Sequence, residues 1–335
     1  MGVRGLKTPA RAEPKEPAQG DLVTLSRIAM ACRWEIMLPA QDQDALPAAQ
    51  AALELVADLE RQMSVFREDS EISHINRRAA YAPVEVDAGL FALLELAARL
   101  AGETEGAFDI SAGALARLWR SCRAEGRVPS ADEVERARSA ASMSHVHLDR
   151  ERRTVAFARA GLALDLGAIG KGYAVDRVSE SLRSAAVTSA LVHAGHSSIA
   201  AIGSPPWDGA WSVSIADPKG SDHPAARVRL RDRSMATSGS TEQSREIEGR
   251  RYGHIIDPRT GWPAEGALSA TAIAPTAAEA DALSTAFYIM GIEATRAYCA
   301  AHPEVTALMV VPDEAEGEAH VLNVGIENDV LEVTV

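Results

Sequence analysis

Residues 276–279 read Thr-Ala-Ala-Glu, the residue order of a helix capping box. In that motif a hydroxyl and a carboxylate satisfy free backbone amides at the start of a helix. The pattern predicts a helix over 277–290. Asp281, Ser284 and Thr285 then fall at i, i+3 and i+4, on one face near its N-terminal end. A carboxylate beside two hydroxyls suits a hard cation such as Mg²⁺, which takes oxygen ligands. The same residues also fit a helix whose Asp faces the positive N-terminal end and whose hydroxyls bond to the backbone.

A second informative segment, YGHIIDPRTGWP, occupies residues 252–263. His254 stands just ahead of a turn that begins at Asp257-Pro258 and closes at Gly261. Imidazole is the side chain best suited to proton transfer near neutral pH. Together with the oxygen cluster of the predicted helix, this segment suggests phosphoryl-type chemistry. Asp-Pro and Thr-Gly are also ordinary residues of a surface turn, and that interpretation stays open.

A glycine-rich segment, DLGAIGKGYAVD, covers residues 165–176. It follows a predicted strand at 161–166 and opens a predicted amphipathic helix, so its amides and Lys171 can meet a phosphate group. It is not a Walker loop, because Lys171 precedes Gly172 and not Ser or Thr. The glycine spacing does not match Gly-x-Gly-x-x-Gly either. Taken alone, the segment is better interpreted as an ordinary strand-to-helix turn.

The bulk composition limits the possible partners. Among 335 residues, 47 Asp and Glu outnumber 34 Lys and Arg, for a formal net charge of −13. This excess argues against a nucleic-acid or anionic-membrane surface, because those partners require clustered positive charge. Aromatic residues make up only 4%, so the core must be built mainly from aliphatic side chains. The 3 cysteines are too few and too scattered for a disulfide framework, which predicts reduced thiols.

Residues 1–22 are polar and Pro-rich, and they predict a disordered tail ahead of one domain over 23–335. The tail has no apolar run typical of a signal sequence and no lipid-attachment cysteine. No stretch approaches the roughly 18 uninterrupted apolar residues of a transmembrane helix. We therefore expect a cytoplasmic protein without membrane insertion.

Hydrophobic periodicity predicts an α+β architecture with a helical insertion near residues 86–140. Further helices are predicted at 45–63, 88–104 and 113–126, and from a capping box at Ser130. Strands are predicted at 25–38, 145–149, 154–158, 161–166, 189–193, 198–202, 211–216, 227–231, 268–274, 305–311 and 320–325.

Two pairs of histidines are candidate zinc ligands. His145 and His147 alternate on a predicted strand and would share a face, but no third ligand is spaced nearby. Solvated side chains are the simpler prediction for them, and the same holds for His193 and His196.

Several motifs, in this order, resemble the FAD:protein FMN transferase family, also called the ApbE family. The segments that carry the resemblance are Met30, FREDSE (66–71), GAFD (106–109), DLGAIGKGY (165–173), ATSG (236–239), HIIDPRTG (254–261) and ADALST (280–285). They run from about Met30 to about Gly291, most of the chain. The match implies a two-lobed α+β domain, T-fold-like, with mixed or antiparallel sheets and a flavin cleft between the lobes.

The resemblance also implies an enzyme with FAD as substrate and Mg²⁺ or Mn²⁺ as cofactor. Such enzymes pass the FMN half of FAD to a Ser or Thr hydroxyl of an acceptor protein and leave AMP. The family's FAD-binding positions fall on Met30, Phe66, Ala107, Phe108, Asp109, Asp165, Lys171 and Ile255. Its metal ligands fall on Ala168 (through the carbonyl), Asp281, Ser284 and Thr285. His254 would lie by the pyrophosphate and act as base towards the acceptor hydroxyl.

Two other functions fit the same residues. One is an FAD pyrophosphatase that releases FMN and AMP to water, and the other is a flavin-binding protein without turnover. The chain departs from the family pattern at three places: Gly195-His196-Ser197 replaces Gly-Gly-Asp, Phe66 stands where Tyr is common, and Ser284 stands where some members have a second Asp.

Overall fold

The computed structural model describes residues 20–221, 223–239, 244–312 and 319–333. The helices are α1 Leu46–Met63, α2 Glu71–Arg78, α3 Ala88–Glu103, α4 Gly113–Glu125, α5 Ala131–Ala140, α6 Gly170–Ser184, α7 Ala277–Met290 and α8 Ile292–Ala301. The strands are β1 Leu22–Ala29, β2 Cys32–Pro39, β3 Val84–Glu85, β4 Val146–Asp149, β5 Thr154–Phe157, β6 Ala190–Ala194, β7 Ser198–Ile202, β8 Trp211–Ile215, β9 Ala226–Leu230, β10 Ser234–Gly239, β11 Arg245–Ile247, β12 Arg250–Tyr252, β13 Ser269–Ala274, β14 Thr306–Pro312, β15 Ala319–Val324 and β16 Leu331–Val333.

An eight-stranded antiparallel sheet, in the order β1-β2-β6-β7-β10-β13-β14-β15, forms the centre of the molecule. Side chains alternate between the two faces of a strand, so the sheet contributes side chains to two hydrophobic cores. Trp34 and Ile36 face the larger core, which includes residues of α1, α3, α6 and α7. Leu191 and Ile199 face a smaller core shared with the β16-β9-β8 sheet. The predicted α+β class with antiparallel sheets is therefore confirmed.

The strongly periodic helices were predicted correctly. In α1, Leu53, Val56, Leu59 and Met63 recur every three or four residues, and all four are buried. Gly126 ends α4 in the left-handed conformation, and Ser130 opens α5 with a complete capping box. Thr276 caps α7 by accepting a hydrogen bond from the Glu279 amide. Local signals were sufficient here because each cap involves residues three positions apart.

Three sequence predictions were wrong. The strand predicted at 25–38 is a hairpin, because Met30 and Ala31 form a two-residue turn with φ of 48° and 58°. The segment 161–166 is not a strand and makes only a single bridge, at Ala163. Its backbone instead bonds to other segments, as where the Leu164 amide donates to the Asn76 side chain.

The third wrong prediction concerns the histidine pairs. His193, predicted to be solvated, is buried on β6 with its Nε2 2.9 Å from Glu35 Oε2. His145 ends a 3-10 turn, Met143–His145, whereas His147 lies on β4, so the two do not share a strand face.

Other elements were missed by the sequence analysis, including α2, α8 and β10. The predicted tail over 1–22 lies outside the described residues as far as residue 19, and β1 begins at Leu22. Within the described ranges, no helix combines the length and apolar character needed to cross a bilayer.

Candidate active site

Asp281 lies in the second turn of α7 and is almost fully buried, with 5% of its surface exposed. Its Oδ2 accepts a hydrogen bond of 2.9 Å from the Gly172 amide at the start of α6. Its Oδ1 accepts a bond of 3.0 Å from Ser198 Oγ on β7. These donors leave each carboxylate oxygen with a further lone pair, so the group is held in place and can still accept another ligand.

The start of α6 is packed closely against the start of α7. A Cβ added at Gly172 would clash with the Ala277 carbonyl oxygen and lie 2.7 Å from Asp281 Cβ, so only glycine fits here. One turn further along α6, Asp176 accepts hydrogen bonds of 2.7 and 2.8 Å from the amides of Ala277 and Ala278. This carboxylate satisfies two of the free amides at the start of α7.

That packing places Lys171 beside Asp281. Lys171 Nζ lies 3.9 Å from Asp281 Oδ1 and donates a hydrogen bond of 2.7 Å to Ser197 Oγ. The ammonium group is partly exposed, with 29% of its side chain accessible, whereas the carboxylate is buried. A fixed positive charge therefore borders the buried carboxylate on its open side.

Hydroxyl groups extend the oxygen cluster along α7. Ser238 Oγ on β10 lies 2.8 Å from Ser284 Oγ and 3.1 Å from Thr285 Oγ1. The hydroxyls of Ser284 and Thr285 also reach the Asp281 carbonyl, at 2.9 and 3.4 Å. Ser284 is fully buried, whereas Thr285 is half-buried. Carboxylate and hydroxyl oxygens are donors that fit a hard cation. Ala168, whose carbonyl was predicted as a further ligand, lies in the turn before α6.

His254 provides the titratable group predicted from the sequence. Burial lowers the pKa of its imidazole to about 4, and the positive charges of Arg123 and Lys171 act in the same direction. The ring is therefore neutral at pH 7. Its Nδ1 is buried and has no hydrogen-bond partner among the described residues.

The turn after His254 is rigidly anchored. Asp257 accepts bonds of 2.9 Å from the Arg259 amide and side chain, and its own carbonyl accepts from the Gly261 amide at 2.8 Å. Trp119 Nε1 of α4 donates to the Gly261 carbonyl at 2.8 Å. Gly261 has φ of 77°, and a Cβ there would lie 2.5 Å from Val134 on α5. The helical segment 113–140 thus fixes the turn that carries the imidazole.

Two of the predicted FAD-binding residues are linked through an arginine of α4. Arg120 Cζ lies 4.6 Å from the ring centroid of Phe66, and Arg120 Nη2 lies 3.3 Å from Asp165 Oδ2. Phe66 is 75% exposed. Asp165 Oδ1 accepts from the Gly167 amide at 2.9 Å, which shapes the turn before α6. An exposed aromatic ring, a guanidinium and a carboxylate thus form one surface.

The other predicted FAD-binding residues are distributed differently. Ala107 and Phe108 are buried, and their amides already donate to Thr104, so neither residue is exposed to a ligand in this conformation. Asp109 accepts bonds from the Ser111 amide and hydroxyl and from the Met143 amide, which ties the 106–111 turn to the rest of the fold. Ile255 is buried beside His254, and Met30 is half-buried at the tip of the β1–β2 hairpin.

Sequence reasoning did not assign several residues of this region: Arg120, Arg123, Asp176, Ser197, Ser198 and Ser238. Ser238 lies within the ATSG motif and Ser197 within the Gly195-His196-Ser197 departure, so both had a local signal. The two arginines had none, because their contacts join α4 to segments far along the chain.

Comparison with known proteins decides the family. The ApbE family model matches residues 30–309. The chain belongs to the ApbE family. It is 36% identical over 319 residues to the FAD:protein FMN transferase of Treponema pallidum, which covers 91% of this chain and 87% of that protein. It is 32% identical over 246 residues to the Haemophilus influenzae protein of the same name, covering 71% and 70%.

Solved structures agree with this assignment. The ApbE protein from Thermotoga maritima superimposes with a TM-score of 0.79 at 32% identity, over 90% of this chain and 96% of that one. The flavin transferase ApbE from Vibrio cholerae gives a TM-score of 0.75 at 27% identity, over 90% and 97%. The fold and enzyme class predicted from the sequence motifs are therefore those of the family.

Proposed function

We propose that this protein transfers FMN from FAD to a Ser or Thr hydroxyl of an acceptor protein, releases AMP, and requires Mg²⁺ or Mn²⁺. The observation that carries the proposal is the cluster formed by Asp281, Thr285 and Lys171. His254, whose imidazole is neutral at pH 7, adds a proton acceptor to this set. An oxygen-ligand face, a fixed positive charge and a proton acceptor are the groups that a pyrophosphate substitution needs.

Asp281, Ser284, Thr285 and the Ala168 carbonyl would hold the cation. When bound, the cation neutralises negative charge on the pyrophosphate oxygens as the bridging bond breaks. Lys171 contributes a second positive charge from the opposite helix, and its bond to Ser197 orients the ammonium group. Because Gly172 and Ser198 already fix the Asp281 carboxylate, little reorganisation is needed when the substrate arrives.

His254 would accept the proton of the acceptor hydroxyl. The acceptor hydroxyl oxygen attacks the phosphorus of the FMN half, the P–O bond to the bridging oxygen breaks, and AMP leaves with that oxygen. The hydroxyl proton passes to the imidazole, which is neutral at pH 7 and so needs no prior deprotonation. A neighbouring pyrophosphate raises the pKa of the imidazole from about 4, since negative charge favours the protonated ring.

The flavin ring would bind at the more open part of the site. Phe66 offers an exposed ring for stacking, and Met30 offers a polarizable side chain. Arg120 connects this surface to Asp165, at the turn that leads into Lys171 and α6. The flavin and the pyrophosphate would thus be held by residues that differ in burial.

One experiment tests the function directly. The protein is incubated with FAD, Mg²⁺ and an acceptor protein bearing a Ser or Thr target, and both AMP release and the mass of the acceptor are followed. Transfer predicts AMP release together with a covalent FMN adduct on the acceptor, and loss of both in excess chelator. AMP and free FMN without an adduct would indicate a pyrophosphatase, and bound FAD without AMP would indicate a binding protein.

A further inference from the structure

Outside the proposed active site, three potential metal ligands meet at the edge of the central sheet. Glu35 lies on β2, His193 on β6, and His196 in the turn between β6 and β7. Their ligating atoms all lie within 4.8 Å of one another. Of the described residues, these alone form a group of three or more His, Cys, Asp or Glu side chains with that spacing.

This cluster faces away from Asp281. Glu35 pairs with His193 in the β2–β6 ladder, and their neighbours along these strands, Met37 and Leu191, belong to the smaller core. Ser198, by contrast, points through the other face of the sheet and donates to Asp281. The alternation of side chains along a strand therefore separates the two sites by the thickness of the sheet.

The carboxylate of Glu35 is already divided between two partners. Its Oε1 lies 2.9 Å from Arg33 Nε, and its Oε2 lies 2.9 Å from His193 Nε2. Arg33 thus orients the carboxylate as an outer partner orients a metal ligand, while its positive charge moderates the affinity for a cation. The second oxygen faces the imidazole.

The two imidazoles lie against each other, with ring centroids 4.7 Å apart and planes inclined by 29°. His193 is buried, and its Nε2 faces the Glu35 carboxylate. The Nδ1 of His193 has no hydrogen-bond partner in the described part of the chain, so only one of the two ring nitrogens is paired with a protein group. His196 is exposed and leaves one side of the cluster open to solvent.

We propose that Glu35, His193 and His196 form a second metal site, which binds a divalent transition metal of the zinc class and is separate from the oxygen-ligand site. Two imidazoles and one carboxylate, with an open fourth position, are ligands that zinc accepts and that Mg²⁺ does not favour. Metal–ligand bonds of about 2.0–2.2 Å place tetrahedral ligand atoms roughly 3.4 Å apart. The Glu35–His193 pair opens slightly to reach this distance, and the exposed His196 closes towards it.

Metal binding at His196 would also affect the proposed active site, through the residues that follow in the chain. His196 is followed at once by Ser197, which accepts the hydrogen bond of Lys171, and then by Ser198, which donates to Asp281. A metal bound to His196 restrains this turn on one face of the sheet while its neighbours hold the catalytic groups on the other.

Cobalt binding to tag-free, chelator-treated protein tests the site. Co²⁺ takes zinc-type sites and gives visible absorption bands that report tetrahedral nitrogen and oxygen ligands. In saturating Mg²⁺, we expect one equivalent of Co²⁺ per chain, displaced by Zn²⁺. His196→Ala and Glu35→Gln should each weaken binding by at least about 10- to 100-fold, the cost of mutating even the outer partners of metal ligands. His147→Ala removes an exposed histidine elsewhere and should bind Co²⁺ as the parent does.

Two further variants make the result specific. Asp281→Ala should keep the Co²⁺ bands, which separates this site from the proposed Mg²⁺ site whether or not the enzyme is active. Cys32→Ser should also keep the Co²⁺ bands. Side chains alternate along β2, so Cys32 points to the face of the sheet opposite to Arg33 and Glu35. Parent-like Co²⁺ affinity in both His196→Ala and Glu35→Gln, or no Co²⁺ binding once Mg²⁺ is saturating, would overturn the proposal.

Discussion

The two halves of the proposed FAD site differ in how completely the protein builds them before any ligand arrives. The pyrophosphate half is buried and hydrogen-bonded: Asp281 has two fixed donors, and Ser284 is completely enclosed. The flavin half is open, with Phe66 75% exposed and Met30 at a hairpin tip. The groups assigned to the chemistry are preorganised, whereas the groups assigned to ring binding are left accessible to the ligand.

The difference has a physical origin in the sequence. The part of α7 that faces the site is rich in alanine, and Gly172 lets α6 approach it closely, so small residues allow a tight seam. The loop that carries Phe66 is held by Ser70, which caps α2, by the Arg77 side chain, which donates to the Glu68 carbonyl, and by a surface pair between Arg67 and Asp69. Tight packing fixes positions, and surface pairs contribute little to stability.

The largest expected effect comes from removing the buried carboxylate. Asp281→Ala should abolish FMN transfer, a loss of at least about 10³-fold, because the charged ligand of the cation disappears. It also leaves the Gly172 amide and Ser198 hydroxyl without their acceptor. Asp281→Asn keeps an acceptor oxygen and should restore much of the stability but little activity. Recovery of both together would show that Asp281 serves only the fold.

His254→Gln should slow single-turnover transfer by about 10² to 10⁴-fold with FAD affinity nearly unchanged, because a proton acceptor acts in the transition state. The bland alternative is that the imidazole only braces the 257–261 turn. That alternative predicts parallel losses of thermal stability and FAD affinity, with transfer at the parental rate once FAD is saturating. Rates at saturating FAD, measured beside thermal unfolding, distinguish the two.

The pH profile of the parent sharpens the same assignment. The folded-state pKa of His254 lies at about 4, below the ordinary value of 6.5, so the neutral, proton-accepting ring persists as the pH falls. For the free enzyme, kcat/KM should therefore stay level from pH 7 to about 5 and decline only as the pH approaches 4. A decline centred near pH 6.5 would contradict a buried, neutral base.

Packing at the seam between α6 and α7 is tested by one methyl group. Gly172→Ala should destabilise the protein by about 1–3 kcal/mol and lower activity, because the added Cβ meets a backbone oxygen that moves only with its helix. Gly102→Ala is the matched control: it lies in α3, is exposed, and has no atom within 4 Å of an added Cβ. We expect it to stabilise by about 0.5–1 kcal/mol in urea unfolding. Equal effects of the two substitutions on stability would show that close packing of α6 against α7 does not depend on Gly172.

A smaller difference, in Mg²⁺ dependence, is expected between variants of the neighbouring hydroxyls of Ser284 and Thr285. Ser284 is enclosed and bonded to Ser238 and to the Asp281 carbonyl, whereas Thr285 is half-buried. We expect Thr285→Val to raise the Mg²⁺ concentration needed for half-maximal transfer by more than Ser284→Ala does. Magnesium titrations of the two variants measure this directly. The opposite order would assign the ligand role to Ser284.

Local signals were enough to predict the arrangement of the oxygen groups on α7. The Thr276 cap fixed the start of the helix, and residues at i, i+3 and i+4 share a face of any α-helix. The hairpin at Met30 escaped prediction, since Met-Ala is not the Asn-Gly type of pair that marks such turns. The segment at 161–166 looks like a strand but is bonded to Asn76, a partner 88 residues away along the chain. Contacts of that range leave no local pattern.

The smallest predicted effect concerns the open half. Phe66→Ala should weaken FAD binding by about threefold to tenfold, the value of one aromatic stacking contact, and leave the transfer rate at saturating FAD unchanged. Arg120 covers the Phe66 ring at 4.6 Å, so the variant also frees that guanidinium for solvent. Tyr81→Ala provides the control, since Tyr81 is an equally exposed aromatic in the turn after α2. Flavin fluorescence quenching gives the affinities, and a rate loss in Phe66→Ala at saturation would mean that the open half also positions the reacting phosphorus.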